Sequence, residues 1–233
     1  MTMITTTKPQ ADRTILVWDL PTRLFHWSLV ALVALAWTTG ETDGVLFTVH
    51  KIAGYGVLVA ILFRLIWGFV GSPRSRFRDF VHPWPVVRDY AKGLLALRPR
   101  PTAGHNPLGG WMILLLIATL LGVVATGLFA GADGNNGPFS GMISAGLADV
   151  LTETHEGLTG FLLALIVIHL AGVVVESVLL AQNLIAAMWT GRKRMPPALG
   201  AAGAAGAARR TAPAWYASLA LAAATGVVWA LVA

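Results

Sequence analysis

The stretch from His155 to His169, HEGLTGFLLALIVIH, constrains this chain more than any other. Its two histidines stand 14 residues apart. On a helix that is about 1400° of rotation, some 40° short of four full turns, and roughly 21 Å of rise, so both imidazoles leave the same face. From Gly157 to Ile168 the residues are apolar or small. Such a helix lies in lipid or in a buried core, where an unpaired imidazole is costly and usually functional. A single histidine there reads as a satisfied core residue; two on one face, across most of a bilayer, read as a site.

Composition decides between lipid and core. With 56% hydrophobic residues, only 12% charged residues and a mean hydropathy of +0.68, the chain is far more apolar than a soluble domain of its length. It reads as an all-α integral membrane protein. No cysteine is present, which excludes disulfides, zinc-thiolate sites, iron-sulfur clusters and covalent c-type haem, and leaves histidine as the main soft ligand.

Taken in order, residues 1–13 contain no apolar run of signal-peptide type, and the opening MTMIT looks like an expression-vector leader, so this tail is set apart from the fold. A first apolar span runs from about Leu24 to Gly40, with Pro21 near its start and His26 one turn inside. The second starts near His50, in HKIAGYGVLVAILFRLIWGFVG. Gly54 and Gly56 leave the surface below that imidazole nearly bare, as a flat macrocycle against the helix requires and as close helix packing also would. Arg64 follows His50 by 14 residues on the same face, where it either reaches the interface or pairs with a buried anion. A polar stretch from Ser72 to Gly110 contains a short amphipathic segment, Pro85 to Leu97, of interfacial type. His82 and His105 sit beside prolines there and read as loop residues.

The third span, WMILLLIATLLGVVATGLFAG, carries no histidine or charge and reads as a packing partner. Residues 132–154 then read as an outer loop in which Thr152 or Thr154 caps the fourth span, the helix of His155 and His169. Glu176, two turns past His169, is placed to pair with Arg64, to move a proton, or simply to reach water. A basic, Ala/Gly-rich, mobile linker, 191–212, leads to a fifth span at 213–233. The core unit is thus 14–190.

Fifteen of the 17 Lys and Arg fall before the first span, between spans two and three, or in the last linker. The positive-inside rule therefore puts the N-terminus in the cytoplasm and the C-terminus in the periplasm. The net charge of +6 reports topology, not a nucleic-acid partner. Alternating span directions then place the histidines in two layers, His50 with His155 on the outer side and His26 with His169 on the inner side. Bare zinc or copper wants further ligands, and none is evident at these depths. A b-type haem supplies four nitrogens of its own and needs only two axial imidazoles. Two bis-histidine haems stacked across the bilayer are the economical reading.

The motifs RLFHW (23–27), HKIAGY (50–55), RLIWGFVGSPRSRF (64–77), HEGLTG (155–160) and the closing IH (168–169) occur in an order that resembles the bacterial dihaem cytochrome b561 family. That broad group includes the cytochrome b subunits of nickel-iron hydrogenases. The resemblance covers about residues 13–195. It implies a four-helix transmembrane bundle binding two b-type haems, ligands at His26, His50, His155 and His169, and electron exchange with quinone in the bacterial inner membrane. The fifth helix departs from that pattern and leaves room for a partner subunit.

Three functions compete at this point. The first is a dihaem cytochrome b passing electrons between the quinone pool and a periplasmic or membrane redox partner, with Arg23, Lys51 and Arg64 as candidates for haem-propionate or quinone contacts. Whether it also acts as a quinone oxidoreductase is open. The second is a subunit or anchor of a larger oxidoreductase such as a hydrogenase. The third is a haem-free transporter whose His, Arg and Glu relay protons.

Overall fold

A computed structural model describes residues 13–132, 134–195 and 211–233. The opening tail (1–12) and most of the expected linker (196–210) lie outside the described residues. In chain order the helices are α1 (Leu20–Thr39), α2 (Val45–Val70), α3 (Phe77–Phe80), α4 (Trp84–Leu95), α5 (Pro107–Phe129), α6 (Ala145–Leu179), α7 (Leu184–Thr190) and α8 (Ala214–Val232). Short strands β1 (Arg13–Leu16), β2 (Gly131–Ala132), β3 (Asn135–Asn136) and β4 (Arg192–Met195) complete the order. Five helices, α1, α2, α5, α6 and α8, are long and apolar enough to cross a membrane. The protein is an all-α integral membrane protein.

Helix starts follow local chemistry. Asp19 caps α1, its carboxylate accepting from Thr22 N at 2.9 Å, and Pro21 occupies the first turn, where its missing N–H is not needed. Asn106 caps α5 by accepting from Gly109 N, and Pro107 plays the same part there. The fourth span begins earlier than its apolar run suggests. α6 starts at Ala145 with Ser144 as its cap, so the expectation that Thr152 or Thr154 caps this helix is corrected. No proline occurs between Ala145 and Leu179, and both threonines bond back into the helix, Thr152 to Ala148 O at 3.0 Å and Thr154 to Val150 O at 2.7 Å. The 35 residues of α6 reach roughly 52 Å, against about 30 Å of hydrocarbon, so its first turns project beyond the lipid.

The spanning helices associate as two tight pairs, α1 with α2 and α5 with α6, joined mainly through α2 and α5. α1 and α6 barely touch, which leaves the bundle open along the side where their histidines lie. The central core holds Val57, Ile61, Ile117, Leu120 and Leu162. Two of these divide the polar spacings in half: Val57 lies seven residues from both His50 and Arg64, and Leu162 seven from both His155 and His169. An apolar belt therefore separates the two ends. α8 packs on α2, with Ala220 and Ala224 against Phe63 and Trp67.

The segment after Gly191 does not begin as a linker. β4 pairs antiparallel with β1, Ile15 opposite Lys193, and Ile15, Val17, Trp18 and Met195 form a small core beneath. Gly191 at φ +76° makes the turn into it, and a side chain there would also strike Trp18 O. Ala212 N donates to Ser72 Oγ at 3.1 Å, so the chain is pinned to the bundle again just before α8.

Candidate functional site

The four histidines of the spans occupy two ends of the open bundle. At the end opposite the basic loops, the His50 and His155 rings face each other with centroids 6.1 Å apart and planes at 79°. His50 Nδ1 lies 2.8 Å from Ala36 O, and His155 Nδ1 lies 2.8 Å from Val123 O. A carbonyl can only accept, so each Nδ1 carries the proton and each Nε2 keeps its lone pair for a metal. With imidazole–metal bonds of about 2 Å, an ion shared by two such rings sets their centroids roughly 6 Å apart. The rings already stand at that separation.

Backbone glycines shape this seat. A Cβ on Gly127 would lie 2.8 Å from His155 Cε1, so only glycine lets the ring rest against α5. The two glycines after His50 serve different ends. Gly54 has nothing within 4 Å of where its Cβ would be, whereas Gly56 is filled by the Leu32 side chain at 2.8 Å. The first leaves the open surface a planar group would need; the second is helix packing between α1 and α2.

At the basic end, His26 and His169 lie close enough to act on each other electrostatically. His26 Nδ1 is buried and has no hydrogen-bond partner. Trp27 meets the His26 ring edge-on at 5.0 Å and stacks on Trp189 at 4.4 Å. Arg23 donates from Nη1 to Trp189 O at 2.5 Å, while its Nε has no partner.

Arg64 is 4% exposed and does not bond Glu176. Its guanidinium lies over the Phe77 and Phe80 rings at 5.0 and 5.5 Å, and its Nη1 has no partner. The run RLIWGFVGSPRSRF builds this setting. Trp67, fully buried, donates from Nε1 to Asp19 Oδ2 at 3.2 Å; the Phe77 ring occupies the space a Cβ on Gly68 would fill; Ser75 bonds Thr22 at 2.8 Å.

Glu176 is corrected on two of its three options, because it neither pairs with Arg64 nor reaches water. It is 7% exposed and accepts from Tyr90 OH and Asn106 Nδ2. It therefore joins α6 to the amphipathic helix α4 and to the cap of α5. Burial, and then the Glu176 charge, push the Tyr90 phenol well above its ordinary pKa. Lys193, also buried, donates from Nζ to Thr102 O at 3.0 Å, and burial lowers its pKa against the opposing pull of Glu176.

His105 lies in the loop between α4 and α5, as expected, but its ring turns in to this end instead of out to solvent. Its half-buried ring packs on Trp18 (4.3 Å) and Phe80 (5.0 Å), and its Nδ1 is buried without a partner. Burial first, then the charges of Arg64, His169, Lys193 and His26, hold its pKa down at about 3. The visible signal was its place in His105-Asn106-Pro107, directly before a capped helix start. Lys51 lies at the other end, its Nζ 5.5 Å from the Phe47 ring, which stacks on His50.

Among the described residues, no group of three or more His, Cys, Asp or Glu gathers to hold a bare metal ion. Two imidazoles at each end, an open surface at Gly54 and unpartnered donors at the basic end fit a planar group that brings its own nitrogens and its own carboxylates.

Comparison with known proteins identifies the family. The sequence profile of prokaryotic cytochrome b561 matches residues 17–191, which takes in every spanning helix except α8. A probable Ni/Fe-hydrogenase B-type cytochrome subunit of Bradyrhizobium diazoefficiens is 26% identical over 216 residues, covering 78% of this chain and 86% of the relative. One from Azotobacter vinelandii is 26% identical over 220 residues, covering 78% and 89%. A probable Ni/Fe-hydrogenase 1 B-type cytochrome subunit of Escherichia coli is 31% identical over 119 residues, 40% of this chain and 49% of the relative. No solved structure matches. The chain belongs to the prokaryotic cytochrome b561 family and is a multi-pass bacterial membrane cytochrome of the b type.

Proposed function

We propose that this cytochrome carries two b-type haems, one between His50 and His155 and one between His26 and His169, and passes electrons across the membrane between quinone and a redox partner protein. The observation that carries the reading is the His50/His155 pair, 6.1 Å apart with both Nδ1 atoms committed to carbonyls. Haem supplies the one-electron chemistry when bound. The chain's residues orient the imidazoles, keep the two ends apart with Val57 and Leu162, and exclude water between them. Arg23 and Arg64 serve propionates at the basic end. The N-terminus faces the cytoplasm, following the distribution of Lys and Arg.

A reduced-minus-oxidised visible spectrum with a pyridine haemochrome assay tests this directly. Two haems per chain are expected; no haem signal would leave the transporter reading.

Quinone exchange is assigned to the end that holds His50. Lys51 follows the ligand there and is half-buried, whereas Glu176 at the other end is already held by Tyr90 and Asn106. Quinol-driven haem reduction should slow in Lys51→Ala membranes at matched haem content. A wild-type rate in that variant together with a slow Glu176→Gln would move the quinone to the basic end. The relatives named as hydrogenase subunits favour a second reading, in which this chain anchors a larger oxidoreductase. Copurification from native membranes distinguishes it, since an obligatory subunit brings its partner along.

A further inference from the structure

Unpartnered buried donors gather at one end of this bundle. Among the described residues, the buried side-chain atoms without a hydrogen bond are Arg23 Nε, His26 Nδ1, Trp27 Nε1, Arg64 Nη1, His105 Nδ1 and Gln182 Oε1. All five nitrogens in that set belong to the basic end, and none to the end of His50 and His155. Buried polar groups are ordinarily satisfied, and a buried charge is ordinarily paired, so this cluster, donors in Arg23, Trp27 and Arg64 and in the Nδ1–H tautomer of each histidine, marks the place of a missing acceptor.

The acids nearby do not supply it. Asp19 accepts from Thr22 N and Trp67 Nε1, and Glu176 accepts from Tyr90 and Asn106. Arg64 has aromatic faces beneath it but an open Nη1. Phe80 stands between His105 and Arg64: the His105 ring packs on it at 5.0 Å and the Arg64 guanidinium lies over it at 5.5 Å. Beside it opens a cleft of about 430 Å³ lined by Phe80, Thr102, Gly104, His105 and Pro107, with Arg74 and Asp79 at its wall.

We propose that His105 Nδ1 and Arg64 Nη1 together receive the carboxylates of the haem at the basic end, so that its propionate edge turns toward the 102–107 loop. This rests on the two-haem reading above and adds to it a positioning residue on the loop between α4 and α5. A carboxylate there accepts from both nitrogens, which no acid among the described residues bonds. The histidine does not serve packing alone: phenylalanine would fill the same space between Trp18 and Phe80, and only the histidine brings a donor.

That contrast defines the experiment. In full-length chain carrying His155→Ala, only the basic-end haem should remain, and its loss to excess apomyoglobin is followed by absorbance. His105→Phe keeps the ring and removes the donor, and should speed that loss about tenfold, as expected for one charge-assisted hydrogen bond. His105→Gln keeps a donor and should restore slow loss. Arg64→Leu should speed loss and shift the haem's potential downward, because a nearby cation favours the added electron. If His105→Phe does not fold, the Gln and Leu variants carry the test, with haem in His105→Gln expected to stay and haem in Arg64→Leu expected to leave. Wild-type loss rates and potentials in both His105→Phe and Arg64→Leu overturn the proposal and leave two haems standing. A His155→Ala chain without any haem overturns the two-haem reading itself, and this proposal with it.

Discussion

The two histidine pairs are built on opposite plans. Around His50 and His155 the protein supplies the partners itself: Ala36 O and Val123 O hold the rings, Gly127 seats one of them, and among the described residues no buried side-chain atom there lacks a hydrogen bond. Around His26 and His169 it is incomplete, with five buried nitrogens lacking acceptors and a guanidinium set over two phenyl rings. The first end is organised by the backbone before anything binds. The second carries buried nitrogens that no acceptor among the described residues meets. Main-chain carbonyls that orient imidazoles fix tautomer and direction; long basic side chains provide charge and await their partner.

The comparison breaks most cleanly with the histidines themselves. His169→Ala should lose one haem and His155→Ala the other, read as a fall from two to one in a pyridine haemochrome assay. Either variant retaining two haems with unchanged axial spectra would dissolve the division into ends.

Gly127→Val attacks the preorganised end alone. The new Cβ must displace the His155 ring from Val123 O, and loss of such an orienting contact costs about 10- to 100-fold in metal affinity. Haem titration should show this at one end while the spectrum of the other stays as it was. Equal weakening at both ends would mean that the apolar belt does not insulate them.

Asp19→Ala tests the other end's scaffold. It removes the α1 cap and the acceptor of Trp67, and should cost about 1–2 kcal/mol of stability in detergent denaturation. A smaller loss than an ordinary cap gives would show that the Trp67 contact adds nothing.

Gly54→Ala should have the smallest effect, and its value lies in its position. Apart from its chain neighbours and the backbone of α2 itself, no atom of the described residues stands within 4 Å of the added methyl, so stability should hold, while a haem face beside α2 should register a modest shift in the potential of the haem at His50. An unchanged potential would assign that surface to lipid.

Much of the architecture was legible in the residues because lipid imposes simple rules. Backbone groups in hydrocarbon must bond within a helix, so long apolar runs define the spanning helices, and 14-residue spacings place side chains on one face irrespective of partners. Boundaries were less legible. α6 runs well beyond its apolar stretch because a helix, once started at Ser144, continues through Asp149 and Glu153 in water as readily as through lipid. The pairing of β4 with β1 was hidden, since four basic and apolar residues next to an Ala/Gly-rich run show no strand period long enough to read.

The sequence by itself determined the membrane class, the absence of thiolate chemistry and the shared faces of His50 with Arg64 and of His155 with His169. These depend on composition and helical period, which need no neighbour. Only the tertiary structure decided what each polar group meets: Glu176 with Tyr90 and Asn106 instead of Arg64, Arg64 over Phe77 and Phe80, Gly56 filled and Gly54 open, and His105 turned in from a loop to the basic end. Those contacts join residues tens of positions apart. Their geometry comes from how four helices and two connecting segments pack, a property that no single helix's periodicity contains.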